Sequence, residues 1–159
     1  MRVARLVGPH TFRIEEADDP VPQDGEVLIR LQRLSICGSD MRHFRRVLPE
    51  EDYPLPVGRP CHECAGVVEE SRCDEFTEGQ RVIVLPTEIQ GLTELLVSSP
   101  KRIVPLADDG DLTSLVMCQP IGTVIYSCSR IGSVLGKTVV IQGAGAIGLV
   151  FTYLLAKQG

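Results

Sequence analysis

Two short segments concentrate the side chains that do chemistry. One is "CGSD", Cys37 to Asp40; the other is "CHEC", Cys61 to Cys64, some two dozen residues later. Together they offer thiols, an imidazole, two carboxylates and a hydroxyl. A catalytic zinc needs about three ligands of the Cys, His or carboxylate type and one open position, and its ligands can come from distant loops. Cys37 and His62 meet that requirement. A metal so held acts as a Lewis acid that lowers the pKa of a bound hydroxyl.

The other cysteines receive plainer readings. Cys61 and Cys64 have the C-x-x-C spacing of redox pairs and zinc knuckles. The motif opens an expected strand, however, where successive side chains point to opposite faces, so the two thiols should diverge and Cys64 should pack as core. Cys73 and Cys128 read as structural thiols. The first twenty residues carry charges throughout and lack the apolar segment of an export signal. Free or metal-bound thiols are therefore expected rather than disulfides, and a cytoplasmic location is expected with them.

The elements that must position these groups are mostly strands. In "GEVLIRLQRLSI", Val27, Ile29 and Leu31 share one face while Leu28, Arg30 and Gln32 share the other, the pattern of a strand with one buried face. Further strands are expected at Arg2 to Val7, Thr11 to Glu15, His62 to Glu70, Gln80 to Leu85 and Thr93 to Ser98, separated by turn signals such as "PVPQDG" and "YPLPVGRP". Many short strands of this kind predict a mainly β fold, a partly open barrel with short helices. After Asp109 the period changes: Ile121, Val124, Ile125 and Cys128 recur at helical spacing, with Pro120 in the first turn.

The last stretch, "KTVVIQGAGAIGLVFTYLLAKQG", reads as a buried parallel strand, a glycine turn (Gly143, Gly145, Gly148) and a helix with Ile147, Val150, Phe151, Leu154 and Leu155 on one face. In that context GxGxxG spacing is a dinucleotide-phosphate cradle. The acidic residue that would hold the ribose, expected roughly 20 positions on, lies past the last residue.

With 43% hydrophobic and 23% charged residues, the 159-residue chain has the composition of an ordinary globular protein with one sizeable core. A net charge of −5 argues against a nucleic-acid partner. Only "MRHFRR", Met41 to Arg46, is locally basic, and it reads as a solvated face. No apolar run approaches the ~18 residues of a membrane span.

Five segments in this order resemble the zinc-dependent medium-chain dehydrogenases, which include alcohol, polyol and threonine dehydrogenases. They are "DGEVLIR" at Asp24 to Arg30, "CGSD", "HECAGVV" at His62 to Val68, "EGQRVIV" at Glu78 to Val84, and the glycine turn. The resemblance covers nearly the whole chain. It implies a GroES-like catalytic domain over residues 1–135 and the first strand-turn-helix of a Rossmann α/β domain over 136–159. It further implies one catalytic zinc, NAD or NADP as cofactor, an alcohol or polyol substrate and a homo-oligomeric full-length enzyme. Cys37 and His62 correspond to metal ligands, Asp40 to the carboxylate that orients the imidazole, Ser39 to the proton relay, and Glu63 to a glutamate that reaches the metal in some members. Thr123 corresponds to a position beside the nicotinamide, and Gly143, Gly145, Ala146, Ile147 and Gly148 to the phosphate cradle.

The chain also departs from that pattern. The third ligand position falls on Gln119, whose neutral amide is a poor zinc ligand; Glu63 is ranked ahead of Cys118 as its replacement. The histidine of the ribose relay is replaced by Arg42, with His43 next to it. Pro86 to Gly91 stands where many members carry four closely spaced cysteines, so no structural zinc is expected. A lone first βα unit would leave an apolar face uncovered, and the chain is expected to be the N-terminal part of a longer dehydrogenase, inactive by itself. The other reading is a zinc-binding GroES-like module without catalysis. Ser39 and Asp40 are also suited to capping the helical turn that begins "SDMRHF".

Overall fold

In the computed structural model, residues 1–158 are described; Gly159, the end of the expected Rossmann segment, lies outside the described residues. The chain forms two compact units, Met1–Val116 and one beginning at Met117.

The first unit is mainly β. Strands β1 (Arg2–Gly8) and β2 (Thr11–Glu16) form an antiparallel hairpin. Strands β3 (Val27–Ser35), β4 (Glu63–Ser71), β5 (Arg81–Val84), β6 (Leu95–Ser98) and β7 (Ile103–Pro105) form a second sheet in the order β6-β3-β4-β5-β7. The two sheets meet where Val3 bridges to Thr93, with the Ala4 N–H donating to Leu92 O at 2.9 Å. No ladder among the described residues joins β7 to β2, so the barrel stays open there.

The alternating apolar residues of these strands supply the core. Val27, Ile29, Val68, Val82, Val84 and Leu96 pack together inside. Helix α1 (Gly38–Arg45) lies between β3 and β4 in the chain, and on the outer side Leu112 and Val116, from and just after the short helix α2 (Leu112–Leu115), pack against Ala65 and Ile83. Leu28 is buried as well, so β3 begins covered on both faces rather than on the one expected. Gly66 permits the tightest strand approach, since a Cβ there would collide with the Arg30 carbonyl oxygen. It faces β3 beside the irregularity between Leu31 and Arg33.

The second unit has helices α3 (Cys118–Ile131) and α4 (Ala146–Ala156). Val124, Cys128, Val134 and Leu155 form its core, with Ile141, Val150, Phe151 and Leu154 against them. Two expectations change here. Ile125 and Ile147 are exposed rather than packed. "KTVVIQ" forms no strand, and Val140 is 88% exposed. A parallel strand gains its hydrogen bonds from neighbours, and none of the described residues supplies one. No helix of the described residues is long and apolar enough to cross a membrane.

Candidate metal centre

The antiparallel register of β3 and β4 creates the site. Ser35 at the end of β3 pairs with Glu63 at the start of β4. Cys37 follows Ser35 and His62 precedes Glu63, so the chain returns to the same place after a separation of 25 residues.

Directly after β3 the chain enters helix α1 (Gly38–Arg45), and Cys37 is its N-cap. The Cys37 sulfur accepts from the Ser39 N–H at 3.3 Å, and Asp40 Oδ2 accepts from the Cys37 N–H at 2.9 Å, a reciprocal capping box. The cap is thus the cysteine sulfur with Asp40 returning the bond, not Ser39 as the local pattern allowed. Arg42, His43 and Arg45 occupy the last turn, where positive charge suits the helix dipole.

The other oxygen of Asp40 faces His62, with Nδ1 to Oδ1 at 3.2 Å. Donation from Nδ1–H leaves Nε2 with its lone pair free, the tautomer a metal requires. That nitrogen lies 3.8 Å from Cys37 Sγ. Asp40 is only 2% exposed, so one buried carboxylate fixes both the helix start and the imidazole.

Donor atoms of Cys37, Asp40 and His62 all lie within 4.8 Å of one another. Tetrahedral zinc with Zn–S of ~2.3 Å and Zn–N of ~2.0–2.1 Å sets sulfur and nitrogen ~3.6 Å apart, close to the 3.8 Å separation of Cys37 Sγ and His62 Nε2. The residues therefore fit the metal. Ser39 Oγ shares a 2.8 Å hydrogen bond with Cys37 Sγ, which puts a hydroxyl beside the candidate ligand.

Glu63 is 6% exposed and stands outside the three-residue cluster. Among the described residues no salt bridge engages its carboxylate. Cys118 is exposed and Gln119 half-buried, both at the start of α3 in the second unit. Thr123 is exposed on α3 and donates to the Gln119 carbonyl at 3.3 Å. His43, on α1, has its pKa lowered by burial and by the charge of Arg59.

The C-x-x-C expectation is overturned. Cys61 and Cys64 do not diverge; their sulfurs lie 3.8 Å apart and both residues are fully buried. The strand starts only at Glu63, and Cys61 sits before it in a parallel bridge to Gln90, so strand alternation does not govern it. The shared hydrogen bond holds the Cys61 thiol below its ordinary value, while that bond and burial push Cys64 up.

In the second unit, Gly145 is the N-cap of α4, with no side-chain cap on the first amides of the helix. Gly143 has φ of 106°, and a Cβ on Gly148 would collide with the Gly143 carbonyl oxygen. These are the physical reasons for glycine in a phosphate-binding turn.

An open β barrel with a Cys/His pair between its central strands, followed by a glycine turn, defines the class of zinc-type dehydrogenases. The chain belongs to the alcohol dehydrogenase GroES-like domain family, whose sequence model matches residues 23–105. It is 30% identical to a sorbitol dehydrogenase of Bombyx mori, over 92% of this chain and 51% of that protein. It is 28% identical to an uncharacterized zinc-type alcohol dehydrogenase-like protein of Escherichia coli, over 92% of this chain and 51% of the other. Among solved structures, an Escherichia coli oxidoreductase/dehydrogenase of unknown specificity superposes with a TM-score of 0.82 at 28% identity, covering 99% of this chain and 55% of that one. The chain spans about half the length of the curated relatives it matches.

Proposed function

We propose that this chain is the zinc-bearing catalytic part of an NAD(P)-dependent dehydrogenase acting on alcohols or polyols. The observation that carries the reading is the approach of Cys37 Sγ and His62 Nε2, with the imidazole held by a buried carboxylate. Residues 1–135 are then the GroES-like domain and 136–159 the beginning of a Rossmann domain.

Cys37 and His62 would hold the metal, and Glu63 would complete the donor set in place of the family's third ligand. Zinc, when bound, supplies the Lewis acidity that makes a substrate hydroxyl acidic at neutral pH. Asp40 keeps His62 oriented and, through the capping box, keeps Cys37 in place. Ser39 Oγ, beside Cys37 Sγ, accepts the hydroxyl proton and passes it outward. The free amides at the start of α4, on Ala146, Ile147 and Gly148, would take the phosphates of the dinucleotide, with Thr123 beside its nicotinamide. Bound NAD or NADP would supply the hydride acceptor.

The test is zinc content and nicotinamide binding of the purified chain. About one zinc per chain, lost in Cys37→Ser and His62→Ala while the far-UV spectrum is kept, supports the site. Absence of zinc after gentle purification and reloading sinks it. Zinc without any NAD(H) or NADP(H) binding, even when the downstream domain is supplied, leaves the non-catalytic module as the reading.

A further inference from the structure

We propose that Cys61 and Cys64 form an oxidisable dithiol, a covalent modification site that a small hydroperoxide converts to an internal disulfide. Their sulfurs already touch at 3.8 Å. Forming the bond requires them to close by about 1.8 Å, to the ~2.05 Å of a disulfide.

Among the described residues, nothing stronger competes for either sulfur. Their other polar neighbours are backbone carbonyls, Ser35 O at 3.7 Å from Cys61 and Gly91 O at 3.9 Å from Cys64. The segment over the pair is tied to it: the Cys61 N–H donates to Ile89 O at 2.7 Å, and the Gly91 N–H donates to Cys61 O at 3.0 Å. Gly91 keeps this cover close, because a Cβ there would strike Cys64 Sγ. The same cover holds Glu88 and Ile89 in the left-handed region, at φ of 50° and 57°. That conformation is unfavourable for a β-branched side chain, so opening the cover relieves strain and admits small molecules.

The step balances with one peroxide. The sulfur of one cysteine attacks a peroxide oxygen, the O–O bond breaks, and the leaving hydroxide departs as water with the thiol proton. The resulting sulfenic acid is attacked by the second sulfur; the S–O bond breaks and the hydroxide leaves with the second thiol proton. Two thiols lose two electrons and two protons, and hydrogen peroxide is reduced to two waters. Since both residues are 0% exposed, a bulky oxidant such as glutathione disulfide is shut out of the folded chain.

The disulfide would close a ring containing His62 and Glu63. The ring spans the two residues that present the imidazole and the neighbouring carboxylate, so zinc held at His62 restrains the same four-residue segment that must adjust for the sulfurs to close. This coupling rests on the metal reading above; the dithiol itself does not.

The experiment treats the folded chain with hydrogen peroxide, blocks free thiols after unfolding, and maps the peptides. A mass loss of about two units, two fewer thiols out of six and a Cys61–Cys64 cross-link are expected. The cross-link should be absent in Cys64→Ala and retained in Cys118→Ser. Glutathione disulfide should leave the pair untouched until urea is added. Both thiols remaining free while the exposed Cys118 is oxidised would overturn the proposal, as would a cross-link to another cysteine or glutathionylation of the folded pair. Because the wild-type map decides the question, misfolding of a variant does not rescue it. Zinc loading should slow cross-linking by about tenfold or more; equal rates would overturn the coupling alone.

Discussion

Replacing Asp40 separates its two tasks. In Asp40→Asn the amide retains one oxygen, and the capping geometry assigns it to the Cys37 N–H, which Oδ2 accepts from at 2.9 Å. The NH2 group then faces His62 Nδ1, where Oδ1 stood at 3.2 Å. A donor there forces the proton onto Nε2, the nitrogen that faces Cys37 Sγ. Loss of such an orienting carboxylate typically weakens metal binding 10–100-fold, or about 1.4–2.8 kcal/mol. The cap survives, so the zinc-free chain keeps the Cys37 N–H bond and should lose only the order of one net hydrogen bond, about 1 kcal/mol or less. Asp40→Ala loses the cap too and should cost about 1 kcal/mol more. Competition against a chromophoric zinc chelator reads the first effect, and urea unfolding of the zinc-free chain reads the second. Wild-type zinc affinity in Asp40→Asn, or equal loss of stability in the two variants, would refute this account of Asp40.

Three other outcomes follow from the same geometry. Gly66→Ala should destabilise the first unit by about 1–3 kcal/mol, because the new Cβ meets backbone rather than a movable side chain; urea midpoints check this. Gly148→Ala should abolish dinucleotide binding of the chain supplied with its downstream domain while leaving zinc content unchanged, since its Cβ displaces the Gly143 carbonyl that shapes the turn. His43 feels Arg59, Arg42 and Arg46 as well as the opposing Asp40, and burial leads these in lowering its pKa from 6.5. Its neutral ring therefore supports folding above that value, and the support is lost as pH falls through it toward the lower folded value. The fall in urea midpoint between about pH 7.5 and about pH 5.5 should be smaller in His43→Gln; equal slopes would remove His43 from the explanation.

Most of the first unit was legible because its signals are local. Period-two runs located β1 to β6 within a residue or two, while β7 escaped because Ile103–Pro105 is three residues long and ends in proline. The helix after Cys37 was visible in "SDMRHF", but its sulfur cap was not, since cysteine is an uncommon cap residue. "KTVVIQ" has the composition of a buried strand, yet strand state depends on partners rather than on composition.

Residue types and spacing alone determined which groups were candidates: a thiol and an imidazole on separate loops, a carboxylate behind them, and glycines where a helix begins. Tertiary structure decided which candidates meet. Only the β3–β4 register brings Cys37 to His62, and only the late start of β4 puts Cys61 against Cys64. Distances between groups remote in sequence depend on strand pairing and chain path, and those follow from packing the whole barrel rather than from any local pattern.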